Sequence, residues 1–211
     1  VKGSVIVKDF SKEKFKMNLK SNKVNVIKIL PGGVVTAKDT AEIELDANGE
    51  FVRNPGVDLV KVAVVERHQG TGNVACGFLK GYGIKAGAVA LSIAHDSHNI
   101  IVVGVSDEEM EFAVNSLIAQ EGGMVLVREG KVLESMPMPI AGLMSDQSGE
   151  WVDEKLTAIH AKAYEELGIA GDVEPVMTLC FMSLAVIPEV KLTDMGCLLY
   201  TSPSPRDRSV S

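Results

Sequence analysis

The segment VDLVKVAVVER, from Val57 to Arg67, constrains the fold most because valine and other apolar residues nearly fill it. Such runs are typical of strands that are buried on both faces, whereas half-exposed strands alternate apolar with polar residues. The segment therefore predicts a strand inside a layered core. Six glycines follow between Gly70 and Gly87, and this density is too high for a stable helix.

Other segments also predict strands, because they are rich in β-branched residues and end at turn-forming residues. The first is KVNVIKIL, which stops at Pro31. Two apolar runs, AVALSIA and NIIVVGV, flank a short polar motif. Two predicted hairpins complete the set, and they turn at Asn48-Gly49 and at Glu129-Gly130.

Two amphipathic helices are predicted. Ser106 and Glu109 have the spacing of a capping box, and apolar residues recur at helical spacing from there to Gly122. A second helix is expected from Glu150 to Leu167. The apolar segment VMTLCFMSLAVI is too short for periodicity to separate a strand from a helix. These elements predict an α/β or α+β fold with a mixed, largely antiparallel sheet, or sheets, and a few amphipathic helices.

The composition narrows the class of protein. A length of 211 residues, 46% of them hydrophobic, suits one domain with a buried core. The net charge of −7 argues against a nucleic-acid partner, since no basic stripe is present to neutralise phosphates. No run of 18 apolar residues is present, so no membrane span is expected. The cysteines, Cys76, Cys180 and Cys197, lack CxxC spacing, which favours a reducing cytoplasm over a disulfide framework or a zinc ribbon.

The two ends of the chain differ from its interior. The sequence opens on Val1, with no initiator Met and no signal-peptide pattern. From Cys197 onwards, CLLYTSPSPRDRSVS abandons the apolar patterning that runs as far as Gly196. We therefore expect a domain over residues 1–196. Residues 197–211 are expected to be a tail that does not belong to this domain, either disordered or derived from out-of-frame or adapter sequence.

The motif HDSHN places two imidazoles and a carboxylate between two apolar runs. In an unbroken strand His95 and His98 would face opposite sides, because three residues is an odd step. Asp96 and Ser97 favour a turn, which would bring the two rings together. His68, at the end of the valine-rich strand, could supply a third imidazole.

His68, His95, Asp96 and His98 are therefore candidate metal ligands, since neutral imidazoles with a carboxylate suit Zn, Mn or Fe. The competing interpretation is a polar turn whose histidines bond to backbone carbonyls or to a partner subunit. Histidines spaced by three residues are a common accident, so the sequence alone favours the polar turn.

Three other motifs give weaker indications. GTGNVA, residues 70–75, matches the dinucleotide-binding pattern G-x-G-x-x-A, but that function needs a following helix, and CGFLKGYGIKAG predicts none. Ser145 lies in GLMSD, which lacks the G-x-S-x-G pattern of a hydrolase nucleophile, so a loop leading into a helix is expected. His160 lies at the edge of the second helix's apolar face and is interpreted as an ordinary, partly buried histidine.

Three long blocks of the sequence resemble one known family. They are, in order, VAVVERHQGTGNVACGFLKGYGIKAGAVALSIAHDSHNIIVVG, MPMPIAGLMSD and MTLCFMSLAVIPEVKLTDMG. Over residues 5–196 the chain resembles the C-terminal domain of bacterial adenine deaminase, of the amidohydrolase superfamily. The resemblance implies a metal-dependent hydrolase of purine salvage, which converts its substrate adenine and water to hypoxanthine and ammonia.

The resemblance also implies that most of the catalytic machinery lies elsewhere. In this family a divalent metal (Mn, Fe or Zn) is held mainly by a (β/α)-barrel N-terminal to this domain. The present sequence has no H-x-H pair and no β/α series able to close a barrel. We therefore expect a cytoplasmic fragment that is inactive alone, whose partners are the N-terminal barrel and further copies in a homo-oligomer. No catalytic residue is assigned to it.

Two alternative functions stay open at this point. One makes the chain a structural or oligomerisation domain without chemistry of its own. The other makes it a free-standing metal- or nucleotide-binding module, and nucleotide binding would require a helix after Gly72.

Overall fold

The computed structural model describes residues 2–199. Within these residues, one eight-stranded sheet is accompanied by two two-stranded hairpins and three α-helices. The strands are β1 (Lys23–Ile29), β2 (Thr36–Glu42), β3 (Glu44–Leu45), β4 (Phe51–Val52), β5 (Leu59–Val65), β6 (Val74–Lys80), β7 (Ala88–Leu91), β8 (Ile100–Gly104), β9 (Gly123–Arg128), β10 (Lys131–Pro137), β11 (Val190–Thr193) and β12 (Gly196–Leu199). The helices are α1 (Asp107–Ala119), α2 (Gly149–Glu165) and α3 (Pro175–Cys180), and a 3₁₀ turn covers Lys12–Phe15.

The large sheet has the strand order β10-β9-β7-β8-β5-β6-β1-β2. Its neighbouring strands are antiparallel except β1 and β6, which run parallel. The mixed, largely antiparallel sheet that the sequence predicts is therefore confirmed. β5 lies between β6 and β8, and all seven of its residues are buried, as the valine-rich run predicts.

Each face of the sheet carries its own hydrophobic core, because successive strand residues point to opposite faces. On one face, Ala63 and Val65 of β5 pack in a cluster with α1 residues such as Met110. On the other face, Val62 and Val64 lie in a cluster with residues of α2, α3 and β11. Full burial of a valine-sized side chain is worth roughly 1.5–3 kcal/mol. Because β5 contributes side chains to both cores, it anchors the whole sheet.

Both predicted amphipathic helices are confirmed, with one difference at a cap. The Ser106 hydroxyl accepts the Glu109 N–H at 3.2 Å and so begins α1. The Glu109 carboxylate does not return this bond to Ser106. One of its oxygens accepts the Glu129 N–H at 2.6 Å, and the other is buried without a hydrogen-bond partner among residues 2–199. The carboxylate therefore ties α1 to the β9–β10 turn, and only half of the capping box forms.

The apolar segment whose type the sequence leaves open forms a short helix followed by turns. Glu174 caps the N-terminus of α3 by accepting the Met177 N–H, and Pro175 occupies the first helical position. Pro is favoured there because that position has no intrahelical acceptor for an N–H. After Cys180 the chain continues in turns as far as the start of β11.

The β11–β12 hairpin extends beyond the domain boundary expected at Gly196. Cys197 pairs with Leu192, and the antiparallel register continues to Leu199, which pairs with Val190. Residues 200–211, the remainder of the expected tail, lie outside the described residues.

The outer edge of β2 is covered by the segment that leads into β11. Thr36 donates its N–H to the Pro188 carbonyl at 3.3 Å and accepts the Glu189 N–H at 2.9 Å. The Glu189 carboxylate accepts the Lys38 N–H, also at 2.9 Å. The backbone N–H groups of Thr36 and Lys38 and the Thr36 carbonyl, at the start of this edge, are therefore bonded within the chain.

No helix among the described residues has the length and apolar character needed to cross a bilayer. Cys76, Cys180 and Cys197 are free thiols. Burial raises the pKa of Cys76 and of Cys180 to about 12 in each case.

Candidate functional site at the histidine loops

Two loops that carry histidines meet at one end of the sheet. They are residues 66–73, between β5 and β6, and residues 92–99, between β7 and β8. β5 and β7 both run antiparallel to β8, so their C-terminal ends lie at the same edge of the sheet. We call these two segments the histidine loops.

The HDSHN motif forms the predicted turn. Residues 95–97 are in a turn conformation, and His98 adopts φ +54° while its N–H reaches the Ala94 carbonyl at 2.5 Å. The turn brings the rings of His95 and His98 together, with their centroids 5.5 Å apart and their planes at 67°. Asp96 lies beside them with its side chain exposed to solvent.

His68 joins this group through the backbone of the turn. Its Nε2 lies 2.7 Å from the Ser97 carbonyl oxygen. Because a carbonyl can only accept, Nε2 carries the proton in this bond. The bond leaves Nδ1 as the one His68 nitrogen with a lone pair to offer. This contact with a backbone carbonyl is the kind that the polar-turn interpretation predicts.

The loop that bears His68 is organised around one carboxylate. Glu66 accepts the backbone N–H groups of His68, Gln69 and Thr71, at 2.5, 2.7 and 2.9 Å, and the Thr71 hydroxyl at 3.0 Å. Burial alone would raise the pKa of the Glu66 carboxyl. The hydrogen bonds from Gln69, Thr71 and His68 outweigh it and lower that pKa to about 2. Glu66 is therefore ionised at neutral pH and holds the loop in one conformation.

Arg67 links the HDSHN turn to the loop after β10. Its side chain is buried, and the guanidinium donates to the carbonyl oxygens of His98 and of Ala141, the latter at 3.1 Å. Nη1 is buried without a hydrogen-bond partner among the described residues. Burial lowers the pKa of the guanidinium. A buried cation whose contacts are neutral carbonyls is costly, which marks Arg67 as an unusual feature of this end of the sheet.

Residues from the C-terminal third of the chain complete the surroundings of the turn. The His95 N–H donates to the Cys180 carbonyl at 2.8 Å, and the His95 ring lies against Phe181 with a centroid distance of 4.8 Å. Asn99 is buried, and its amide donates to Asp194 at 3.2 Å. The turn is therefore fixed by contacts on several sides.

His98 is the imidazole with the most distinctive environment. Burial lowers its pKa, and the nearby charges of His95 and Arg67 act in the same direction. The ring is therefore neutral at physiological pH. Its Nδ1 is buried and has no hydrogen-bond partner in the described part of the chain. A neutral imidazole can donate through one nitrogen and accept through the other.

The donor set does not fit a metal held by this chain alone. Residues 2–199 contain no group of three or more His, Cys, Asp or Glu side chains placed to hold a metal ion. His95 and His98 are brought together, but Asp96 points to solvent and His68 is bonded to Ser97. Metal binding by these four residues stays a prediction, and it would need ligands from another polypeptide segment.

The structure also places the three weaker motifs. The last two residues of GTGNVA, Val74 and Ala75, already belong to β6, so the helix that nucleotide binding needs is not formed there. Ser145 lies in the loop between β10 and α2, as expected. His160 is half-buried and its Nε2 bonds the Glu174 carboxylate, in keeping with an ordinary structural histidine.

Sequence reasoning missed the two residues that precede His68. Glu66 and Arg67 directly follow the valine-rich strand β5, and the sequence ERHQGT contains the only direct signal for them. A charged pair that follows a fully buried strand must find partners in the adjoining loops. That argument could have predicted a loop built around both side chains.

Comparison with a family model and with individual proteins points to the same family in each case. The family model described as the adenine deaminase C-terminal domain matches residues 33–202. Adenine deaminase 2 of Desulfotalea psychrophila is 67% identical over 195 residues, which are 92% of this chain and 34% of that protein. The adenine deaminase of Ligilactobacillus salivarius is 49% identical over 196 residues, 93% of this chain and 34% of that protein.

A third relative extends the match along the chain. The adenine deaminase of Halalkalibacterium halodurans is 43% identical over 208 residues, 98% of this chain and 35% of that protein. The chain thus spans about a third of the length of the curated relatives that it matches. On these matches, this chain belongs to the family of adenine deaminase C-terminal domains.

Proposed function

We propose that this chain is the C-terminal part of an adenine deaminase, which hydrolyses adenine to hypoxanthine and ammonia in purine salvage. The observation that carries the proposal is the 67% identity over 195 residues to a protein named adenine deaminase 2. Since those residues are 34% of that protein, we infer that catalysis also needs the other two thirds. The divalent metal (Mn, Fe or Zn) would be held mainly there.

We further propose that the histidine loops face this N-terminal domain. This proposal is supported by the concentration of polar groups that the two loops place at one end of the sheet. Two of these groups, Nη1 of Arg67 and Nδ1 of His98, are buried without partners among residues 2–199. Docking of a second domain, with a small rearrangement of the loops, would supply an acceptor for Nη1 of Arg67. Nδ1 of the neutral His98 ring, as donor or acceptor, would then be available to a purine, whose ring nitrogens accept hydrogen bonds and whose amino group donates them.

A fusion experiment tests this function. The N-terminal two thirds of the Desulfotalea psychrophila relative would be joined to this chain in place of its own C-terminal third. We expect the fusion to release ammonia from adenine, whereas this chain alone and the N-terminal part alone do not. Turnover by the chain alone comparable to that of the fusion would overturn the proposal, and so would a well-folded fusion no more active than the N-terminal part.

The same fusion separates a contribution to the site from a purely structural role. If the histidine loops contribute polar groups to the site, His98→Ala should lower kcat/KM while the fusion stays folded. A matched change, His160→Ala, removes an imidazole that bonds Glu174 in another part of the chain. Equal activity of the two variants would instead favour the structural or oligomerisation role.

The remaining properties of the complete enzyme belong to this proposal as well. We expect it to be a cytoplasmic homo-oligomer, and size-exclusion chromatography with light scattering on the active fusion would measure its subunit number.

A further inference from the structure

We propose that this chain also binds a small phosphate-type oxyanion, in a depression at the end of the sheet opposite to the histidine loops. The depression has a volume of about 440 Å³. Three segments form its wall: residues 53–58, which lead into β5, residues 83–85, which precede β7, and residues 168–171, which follow α2. We call it the Arg53 depression.

Two cationic side chains, Arg53 and Lys85, line the depression. Neither takes part in an ion pair among the described residues. Arg53 donates from Nη2 to the Ile84 carbonyl at 3.1 Å, while its Nε is buried without a hydrogen-bond partner in that part of the chain. The carbonyl holds the guanidinium in place without neutralising its charge. The depression therefore presents a positioned cation that has no direct ion-pair partner among the described residues.

One carboxylate, that of Asp58, faces the same depression. One of its oxygens accepts the Gly83 N–H at 3.0 Å, so this group helps to shape the loop before β7. Within this lining, two cations against one carboxylate leave an excess of positive charge, and Arg53 also borders a second depression that contains Glu50, Asp107 and Glu108. In a chain whose net charge is −7, that excess gives a small anion a preferred place.

Glycines let the segments of the wall pack closely together. Gly83 has φ +79°, and a Cβ there would lie 2.6 Å from the Ala170 nitrogen. Gly168 also has a positive φ, of +68°, and it packs against the stem of Lys85. A Cβ at Gly171 would meet no atom within 4 Å. The N–H groups of Gly83, Lys85 and Ala170 already donate within the chain, so the donors to a bound anion would come mainly from the Arg53 and Lys85 side chains.

The chemistry of the lining favours a phosphate group over other anions. Arg presents a planar fork of donors that matches two phosphate oxygens, and Lys adds a mobile point charge. A nucleic acid needs a longer row of cations to neutralise successive phosphates. The depression therefore suits free phosphate or a small phosphomonoester. This proposal stands apart from the deaminase function, because it concerns the other end of the sheet.

Calorimetric titration of the 211-residue chain tests the proposal. The probes are inorganic phosphate and glycerol 3-phosphate, at constant ionic strength set with chloride, and the two arms separate a free anion from a phosphomonoester. We expect saturable binding of at least one probe. Arg53→Gln and Lys85→Gln should each weaken it roughly tenfold. Lys131→Gln removes an equal charge from an exposed position outside the depression and should leave it unchanged.

Circular dichroism and thermal unfolding of each variant would establish that the fold is kept. If Arg53→Gln does not fold, Lys85→Gln carries the test, because the exposed Lys85 side chain makes no hydrogen bond or ion pair within the described part of the chain. Binding of neither probe by the wild-type chain would overturn the proposal. Equal affinities of the wild type, Lys85→Gln and Lys131→Gln would overturn it too. Neither measurement involves adenine, so this result is independent of the fusion experiment.

Discussion

The carboxylate of Glu66 accepts both hydrogen-bond donors of Thr71, the backbone N–H at 2.9 Å and the hydroxyl at 3.0 Å. This contact closes a loop of six residues at the end of the central strand, and His68 lies inside it. The position of that imidazole next to the HDSHN turn therefore depends on a neighbouring carboxylate.

Replacement of Glu66 by Gln should destabilise the chain by about 2 kcal/mol near pH 7, because charge-assisted hydrogen bonds to several donors are lost. The folded-state pKa of about 2 lies below the ordinary value of 4.5. The carboxylate thus stabilises the fold fully above pH 4.5, and this contribution is lost as the pH falls towards 2. Urea unfolding of wild type and variant at several pH values would measure this. Glu42→Gln, at an exposed position of β2, is the control, and a pH-independent difference between wild type and Glu66→Gln would contradict the prediction.

Lys61 and Asp107 form an ion pair, and replacing one partner should lower the stability of the fold more than replacing the other. Lys61 is buried, and its Nζ donates to the two Asp107 oxygens at 2.7 and 3.0 Å and to the Phe15 carbonyl at 2.9 Å. Asp107→Asn leaves the buried ammonium uncompensated and should cost about 3 kcal/mol. Lys61→Met should cost less, because the Asp107 side chain is 28% exposed and lies in the first turn of α1, where a negative charge is favoured. Chemical denaturation would rank the two variants, and the opposite order would refute this explanation.

A methyl group at Gly87 should be far more damaging than one at Gly130, although both glycines have similar positive φ values, +67° and +68°. A Cβ at Gly87 would lie 2.0 Å from the Val127 carbonyl oxygen, whereas one at Gly130 meets nothing within 4 Å. We expect Gly130→Ala to cost about 1 kcal/mol from backbone strain alone. Gly87→Ala should cost about 3 kcal/mol or more, since β9 must shift. Thermal unfolding of both variants would check the difference. Equal losses of stability would show that β9 can shift at little energetic cost.

Thiol labelling should distinguish the cysteines. At pH 8 the pKa of about 12 leaves Cys76 and Cys180 almost entirely protonated, and the thiolate is the reactive form. We expect a disulfide reagent to modify neither in the folded chain. Desolvation raises the pKa of Cys197 as well, but this residue is exposed, so we expect it to react. In denaturant all three should react. Rapid modification of Cys76 under native conditions would contradict the burial of its thiol in the fold.

Metal analysis would test the ligand prediction for His95 and His98. The sample would be the fusion with the N-terminal domain, compared with its His95→Ala and His98→Ala variants. If either residue contributes a ligand, its variant should retain less metal after dialysis, because each lost ligand weakens the site. Equal metal content in all three samples would remove both from the ligand set.

The local elements of this fold could be predicted because their signals are local. Valine density, the turn at Asn48-Gly49 and the spacing after Ser106 each act within a few residues. The strand order could not be predicted in this way. β1 joins the sheet through a parallel contact of Ile27 with Leu79, and β6 is separated from it by four intervening strands in the chain.

In the candidate site, too, local features could be predicted from the sequence and long-range contacts could not. The HDSHN turn follows from Asp96 and Ser97, and the structure confirms it. Its packing partners Phe181 and Asp194 come from segments more than 80 residues later, and no pattern within the motif points to them. Long-range neighbours of this kind are set by how the whole chain packs.

The cover over β2 has a consequence for self-association. An edge strand with unpaired backbone groups can pair with a strand of a neighbouring molecule, and repeated pairing of this kind leads to fibrils. Here Pro188 and Glu189 already occupy backbone groups of Thr36 and Lys38. A strand from a second copy could therefore pair with Thr36 and Lys38 only if these internal bonds were broken, which hinders stacking at this part of the margin.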